Sequence, residues 1–304
     1  MENENEFVAA ILDGNEQAVA SLLDEAEDSA VLRERIANRR PTNHCIGFDM
    51  TLLQLASVRE REKGNTAKVL LERGALLDLH SACGLGHLEQ IDRLVGERPG
   101  RINEQVDTYF PIQLAITAGR ASSIERLMQH GEDANRELRK VAYFGWEDDA
   151  RSQDYTPWRP IHMAALWGFN SARIPVAQEL AAAGADLNAL SPLDGFRPIH
   201  LLAMSNRVEM IRWLVGCGVE VDSRTDRCDI IELVDEPGPM KGLSNTPLMV
   251  AAAEGFADAT ACLIELGADP TAVNDQGLRA MDFAQKRFWK GQPYERVVEI
   301  LSKS

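Results

Sequence analysis

A short phrase occurs twice in this chain, and it restricts the fold more than any other feature of the sequence. Residues 159–168 read RPIHMAALWG and residues 197–206 read RPIHLLAMSN, so His162 and His200 stand at equivalent places. A phrase that recurs at an interval of roughly 20 to 50 residues is typical of proteins built from repeated units. Such a unit is too small to bury its own apolar face, and it therefore folds by stacking on its neighbours.

Two kinds of segment recur along the rest of the chain and predict a pair of helices in each unit. The first helices contain alanine and read TLLQLA (51–56), FPIQLA (110–115), RPIHMAA (159–165), RPIHLLA (197–203) and TPLMVAA (246–252). The second helices end in an apolar pair before glycine and read VLLERGALLD (69–78), RLMQHGEDAN (126–135), ELAAAGADLN (179–188), WLVGCGVEVD (213–222) and CLIELGADPT (262–271). Glycine ends a helix at little cost because it enters the left-handed backbone region without a Cβ clash.

These segments resemble the ankyrin repeat, whose phrase is T-P-L-H-x-A followed later by G-A-D-x-N. Pro111, Pro160, Pro198 and Pro247 stand at the first helical position, where a residue without an amide hydrogen is well tolerated. The resemblance covers nearly the whole chain, and several copies in order make it specific. It implies an all-α fold, an ankyrin-repeat solenoid of stacked helix-turn-helix units with hairpin fingers, two of which are extended.

The resemblance predicts a single ankyrin-repeat domain over residues 1–304, with about eight units of which the first and last are caps. The predicted units are 6–38, 48–78, 79–103, 108–135, 159–188, 192–222, 245–271 and 274–301. The extended fingers are 136–158 and 223–245, and both are much longer than the seven residues of a regular finger. Because long insertions in compact repeats are often functional, we expect these two fingers to wall a groove.

The resemblance also implies a binding surface, since ankyrin-repeat proteins bind through finger tips and the exposed side of the first helix, the concave face. Aligning the units on their prolines places aromatic residues at finger bases and apolar residues at the exposed helix ends. The predicted partner-binding residues are Tyr109, Trp146, Trp158, Leu166, Trp167, Phe196 and Met204. Aromatic side chains and methionine are enriched at interfaces. The alternative interpretation is that these side chains pack in the core or under the fingers.

The histidines favour a structural role over a catalytic one. His80, His162 and His200 occupy the His of T-P-L-H, and in the family this imidazole hydrogen-bonds to the neighbouring finger. His44 and Cys45 supply two ligands where a zinc site needs four. The sequence contains no HExxH, P-loop, GxSxG or dinucleotide-binding glycine pattern, so no catalytic residue, metal or cofactor is expected.

The net charge indicates the class of partner, and the cysteines indicate the cellular compartment. The net charge of −15 argues against a nucleic-acid or anionic-membrane surface and favours a basic protein partner. No apolar run reaches the roughly 18 residues of a membrane span. The five cysteines stand at unrelated spacings and are expected to be reduced thiols, which predicts a cytoplasmic protein.

Three functions remain open from the sequence, and one of them is a purely structural regulator that masks a basic partner with its negative surface. The first is a non-enzymatic protein–protein interaction module that binds a partner protein through the concave face and finger loops. The alternative is a small-ligand-binding or enzymatic protein with a pocket under the two extended fingers, where carboxylates would do acid/base work. A deep enclosed cavity would favour the second function, and an open trough would favour the first.

Overall fold

The computed structural model describes residues 2–25, 51–59, 65–105, 109–138, 158–166, 173–191, 195–226, 244–287 and 292–304. These residues contain 16 α-helices and no β-strand, so the predicted all-α repeat fold is confirmed. No described helix combines the length and apolar character that a membrane span requires.

Most helices are short, which is typical of repeats built from helix pairs. The α-helices are α1 Glu2–Leu12, α2 Glu16–Glu25, α3 Leu52–Arg59, α4 Thr66–Glu72, α5 Leu79–Leu85, α6 Leu88–Glu97, α7 Pro111–Thr117, α8 Ala121–Gln129, α9 Pro160–Leu166, α10 Arg173–Ala182, α11 Pro198–Met204, α12 Val208–Gly216, α13 Pro247–Glu254, α14 Ala257–Glu265, α15 Ala280–Arg287 and α16 Gln292–Ser302. A 3₁₀ helix spans Pro99–Asn103.

The chain forms two compact units. The first unit comprises Met1–Tyr155 and Trp167–Ala183, and the second comprises Thr156–Leu166 and Gly184–Ser304. The first unit therefore holds α1 to α8 and α10, and the second holds α9 and α11 to α16.

In the first unit the helices stack in two rows. The first helices α1, α3, α5 and α7 pack each against the next, while α2 packs on α4, α6 on α8, and α8 on α10. Ile11, Val19, Leu53 and Leu70 are fully buried at 0% exposure. Because burying one such side chain contributes roughly 1.5–3 kcal/mol, each helix pair depends on its neighbours for stability.

The second unit repeats this arrangement. Its first helices α9, α11, α13 and α15 pack in chain order, and its second helices α12, α14 and α16 do the same. Ile161, Ile199, Leu248 and Leu263 lie between the rows with at most 1% exposure. The alanine-rich sequence of α13 is buried from Pro247 to Ala253, which shows why small residues are needed where helices approach closely.

Five first helices, α3, α7, α9, α11 and α15, are capped by a side chain three residues after the N-cap. This side chain accepts a hydrogen bond from the backbone N–H of the N-cap residue, a group that the helix itself leaves unpaired. The pairs are Thr51–Gln54 at 3.0 Å, Phe110–Gln113 at 2.8 Å, Arg159–His162 at 3.2 Å, Arg197–His200 at 3.2 Å and Arg279–Asp282 at 2.7 Å. The histidine of the repeated phrase is therefore one of several residue types that perform the same capping role.

Candidate functional site

Three first helices of the second unit, α9, α11 and α13, each leave one side chain partly exposed, at the helix end. In α9 and α11 every residue is buried except the last, which is Leu166 in α9 and Met204 in α11. In α13 the buried run ends at Ala253 and Glu254 is partly exposed. Because α9 packs on α11 and α11 on α13, these three residues follow one another across the unit, and two of them are apolar.

The aromatic residues predicted at the finger bases differ in their exposure. Tyr109, in the first unit, is 4% exposed, and Phe196, in the second, is 5% exposed. The ring of Phe196 stacks on the imidazole of His200 at 5.9 Å between centroids. Burial of these two rings favours the alternative interpretation, in which they pack within their units.

Trp158 is the predicted aromatic residue that remains partly exposed in the second unit. Its ring lies 6.4 Å from the imidazole of His162, at the start of α9. Trp146 and Trp167 lie outside the described residues, as do most residues of both extended fingers. The described part of the predicted surface is thus reduced to Trp158, Leu166 and Met204.

The three histidines of the repeated phrase bond to backbone carbonyl groups of the following finger. Nδ1 of His162 and of His200 accepts an N–H, so the proton lies on Nε2. Nε2 of His162 donates to the carbonyl oxygen of Ala189 at 2.9 Å. Nε2 of His200 donates to Ser223 at 3.0 Å and to Asn245 at 3.1 Å.

His80 makes the same kind of contact in the first unit, with Nε2 at 2.9 Å from the carbonyl oxygen of Tyr109. The predicted structural role of these histidines is confirmed. Desolvation by burial lowers the pKa of both His162 and His200 from 6.5 to about 4. These two imidazoles are therefore neutral at pH 7, buried and fully engaged by the backbone, which leaves no role for them as general bases.

Arginines tie adjacent fingers of the second unit together, a feature that we did not predict from the sequence. Arg197 donates from Nη1 to the carbonyl oxygen of Asn188 at 2.5 Å and from Nε to that of Arg224 at 3.2 Å. Arg224 donates from Nη1 to Ser244 at 2.9 Å and to Val273 at 2.8 Å. One indication of these contacts was present in the sequence: Arg197 stands immediately before Pro198, where the ankyrin phrase has threonine.

A buried carboxylate is the second feature that we did not predict. Glu132 occupies the position at which other repeats have a buried alanine, Ala185 or Ala268, and Glu132 itself is only 7% exposed. One carboxylate oxygen accepts from Nε of Arg136 at 2.6 Å, and the other has no hydrogen-bond partner among the described residues. Desolvation by burial raises the pKa of Glu132. The guanidinium of Arg136 lies 4.4 Å from the ring centroid of Phe110, so this cluster fixes the residue at which the first extended finger begins.

The described residues do not bring three His, Cys, Asp or Glu side chains together in a way that could hold a metal ion. Their polar side chains instead serve caps, turns and finger contacts. The fold and these contacts define a repeat protein made of tandem helix pairs that are joined through their fingers.

Family models identify the repeat. The model described as ankyrin repeats (many copies) matches residues 161–215, and the model of the single ankyrin repeat matches residues 244–275. The chain is therefore an ankyrin-repeat protein.

Curated relatives agree with this family. The chain is 26% identical to the ankyrin repeat protein nuc-2 of Neurospora crassa over 215 residues, which are 70% of this chain and 16% of that protein. It is 34% identical over 74 residues to ankyrin repeat domain-containing protein 49 of Drosophila melanogaster, covering 23% of this chain and 34% of the relative. It is 30% identical over 102 residues to protein phosphatase 1 regulatory subunit 27 of Mus musculus, and these residues are 34% of this chain and 55% of the relative. The chain thus matches about half or less of each relative's length.

Proposed function

We propose that this chain is a non-enzymatic protein-interaction module that binds its partner through the concave face of the second unit. The exposed ends of α9 and α11, Leu166 and Met204, form the centre of the contact, and Trp158 borders them. Ankyrin repeats suggest a protein–protein interaction module, and the name of the mouse relative, a regulatory subunit of a phosphatase, agrees with a protein partner.

The observation that supports this surface is the pattern of burial along α9 and α11. Each of these helices buries all its residues except the last, so the identity of that residue determines what the helix offers to a partner. Leucine and methionine have no polar atoms that require water, and methionine adapts to the shape of what it contacts. Phe196 supports this surface from within the second unit. Contacts of Tyr109, Trp146, Trp167 and the finger loops with a partner stay separate predictions.

The enzymatic alternative has less support from the described residues. His162 and His200 are held by backbone groups, and burial keeps them neutral. A general base needs both access to its substrate and a pKa near the working pH. The proposal also includes a cytoplasmic location, since Cys83, Cys217 and Cys262 are free thiols. The expectation of a basic partner rests on the net charge alone.

The test is affinity capture with the full chain from a native lysate, followed by quantitative mass spectrometry. The double variant Leu166→Ser/Met204→Ser should lose the specifically captured proteins by about 10-fold or more, since central interface residues dominate binding. Its melting temperature should change little, because both side chains are partly exposed. Val215→Ser is the matched control, because Val215 is a partly exposed apolar residue on the second helix α12. Equal capture by the double variant and the wild type would rule out this surface.

A further inference from the structure

We propose that Arg224, with Arg197 beside it, is an acceptor site for a carboxylate side chain in an acidic segment of the partner protein. This inference rests on the proposed function, since it names the chemistry of the partner. It concerns the finger edge of the second unit, whereas the proposed contact centre lies at the ends of α9 and α11.

The hydrogen bonds of Arg224 leave a defined edge of its guanidinium open. Both carbonyl oxygens that it binds, those of Ser244 and Val273, are bonded to Nη1. Nε and Nη2 have no partner among the described residues. These two nitrogens carry parallel N–H groups, and this pair forms the fork that binds a carboxylate through both of its oxygens. The hydrogen bonds to the two carbonyl groups thus occupy Nη1 alone, and Nε and Nη2 stay available to bind a carboxylate.

The position of Arg224 is fixed before any partner arrives. Its two carbonyl contacts belong to two different segments, one before α13 and one after α14. Ser244 has φ 56°, a left-handed conformation that is uncommon for residues other than glycine, and Arg224 holds the carbonyl of this strained residue. A guanidinium held in one geometry loses less conformational freedom on binding than a mobile side chain.

No ion pair within 4.0 Å joins Arg224 or Arg197 to an acidic group among the described residues, although the chain carries 47 acidic residues. Asp222 accepts from the backbone N–H of Asp269 at 3.0 Å, and Asp269 accepts from the hydroxyl of Thr271 at 2.7 Å. The hydrogen bond from Thr271 lowers the pKa of Asp269, and the positive charge of Arg224 contributes to this shift without forming an ion pair with Asp269. Arg224 is exposed and Arg197 is partly exposed, so both guanidinium groups are accessible to a carboxylate.

Arg197 adds a second positive charge to the same edge. Its Nε donates to the carbonyl oxygen of Arg224 itself, which ties the two arginines to adjacent fingers. The net charge of −15 describes the whole surface, and such charges are screened beyond roughly 8 Å at physiological ionic strength. Local groups therefore decide what docks here, and these groups select an acidic segment.

The experiment measures fluorescence anisotropy of a labelled hexaglutamate peptide with the full-length protein at low salt. Wild-type protein should bind the peptide, and Arg224→Gln should weaken binding by about 10-fold, because glutamine keeps an amide donor but loses the charge and the fork. Arg207→Ala is the control for general electrostatics, since Arg207 is exposed and makes no side-chain hydrogen bond or ion pair with a described residue. It should change the affinity less than about 2-fold.

Four results would overturn the inference, and the fourth is a competition result. The first is no binding of hexaglutamate. The second is an equal loss in Arg207→Ala and Arg224→Gln while both proteins keep the wild-type melting temperature. The third is tighter binding of hexalysine or of a hexauridylate RNA by the wild type. Competition by inorganic phosphate at lower concentration than acetate would assign the site to phosphate and overturn the carboxylate assignment. If Arg224→Gln itself lowers the melting temperature, Arg224→Lys, which keeps the charge without the fork, should still bind more weakly than Arg207→Ala.

The two proposals fail separately. Leu166→Ser/Met204→Ser should leave hexaglutamate binding unchanged. If the protein does not bind hexaglutamate but the Leu166→Ser/Met204→Ser variant loses the captured proteins, only the acidic-partner inference is wrong. If the wild type still binds hexaglutamate but the Leu166→Ser/Met204→Ser variant captures the same proteins as the wild type, only the proposed function is wrong.

Discussion

Nε2 of His200 lies 3.1 Å from the carbonyl oxygen of Asn245 and donates a hydrogen bond to it. The bond joins the start of α11 to the start of the next repeat, since Asn245 comes just before the N-cap of α13. Asn245 is fully buried, and its side chain also accepts from Nδ2 of Asn274 at 2.9 Å. A single imidazole thus connects successive repeats through backbone atoms that water cannot reach.

This contact predicts an acid-sensitive second unit. Burial holds the pKa of His200 and His162 at about 4 in the folded state, against 6.5 in the unfolded chain. The unfolded state therefore binds more protons between these values, so stability falls as the pH drops from 6.5 towards 4. A shift of this size corresponds to roughly 3 kcal/mol for one histidine.

The variant His200→Gln isolates this effect, because glutamine already occupies the equivalent capping position at Gln54 and Gln113. We expect the variant to lose less stability than the wild type between pH 7 and pH 4.5, by about 2 kcal/mol. Urea unfolding followed by circular dichroism at both pH values measures the difference. Parallel losses in both proteins would show that His200 is not the titrating group.

Glu132 predicts a stabilising substitution in the first unit. One oxygen of its buried carboxylate has no partner in the part of the chain that the structure describes, and alanine fills the equivalent position at Ala75, Ala185 and Ala268. Glu132→Ala should therefore raise the free energy of unfolding at pH 7 by about 1 kcal/mol, since the cost of a buried unpaired oxygen disappears. Arg136 remains partly exposed and can be solvated.

The gain from Glu132→Ala should depend on pH with a definite sign. The pKa of Glu132 is raised by burial above 4.5, so the folded state takes up its proton first as the pH falls. The penalty of the ionised form is present above the raised pKa and is gone below 4.5, so the advantage of the variant shrinks on acidification. Glu125→Ala, at an exposed site on α8, is the control. A destabilised Glu132→Ala would mean that the bond to Arg136 outweighs the burial cost.

Substitutions at two glycines distinguish the stability cost of a steric clash from the cost of a left-handed backbone conformation. Gly195 and Gly218 both have positive φ, at +65° and +93°. A Cβ at Gly195 would lie 2.2 Å from the carbonyl oxygen of Asp226, whereas a Cβ at Gly218 would meet nothing within 4 Å. Gly218→Ala should cost about 1–2 kcal/mol for the left-handed conformation, and Gly195→Ala about 1–3 kcal/mol more for the clash. Thermal unfolding of both variants tests this, and equal losses would contradict the close contact of adjacent fingers at Gly195.

Sequence reasoning located the helices well because their boundaries depend on local chemistry. Proline at the first helical position predicts α7, α9, α11 and α13, and the structure starts each of them at its proline. The prediction of one domain with eight units over 1–304 remains a prediction.

The exposure of the predicted partner-binding residues was harder to predict, since exposure depends on neighbours in space, and their role in binding stays a prediction. Phe196 stands two residues before its proline, at a position that we assigned to the surface, and its ring packs on His200 instead. Leu166 and Met204 fit their assignment as partly exposed helix ends. The contacts of Arg197 and Arg224 could not be inferred, because they depend on which carbonyl groups adjacent fingers present.

The proposed concave-face contact is tested most directly by hydrogen exchange of the full chain, alone and with a captured partner, read peptide by peptide. The account predicts slower exchange in peptides that contain the ends of α9 and α11, around Leu166 and Met204, and no change around Val215 on α12. Slower exchange confined to the second helices α12 and α14, with unchanged rates at Leu166 and Met204, would contradict it.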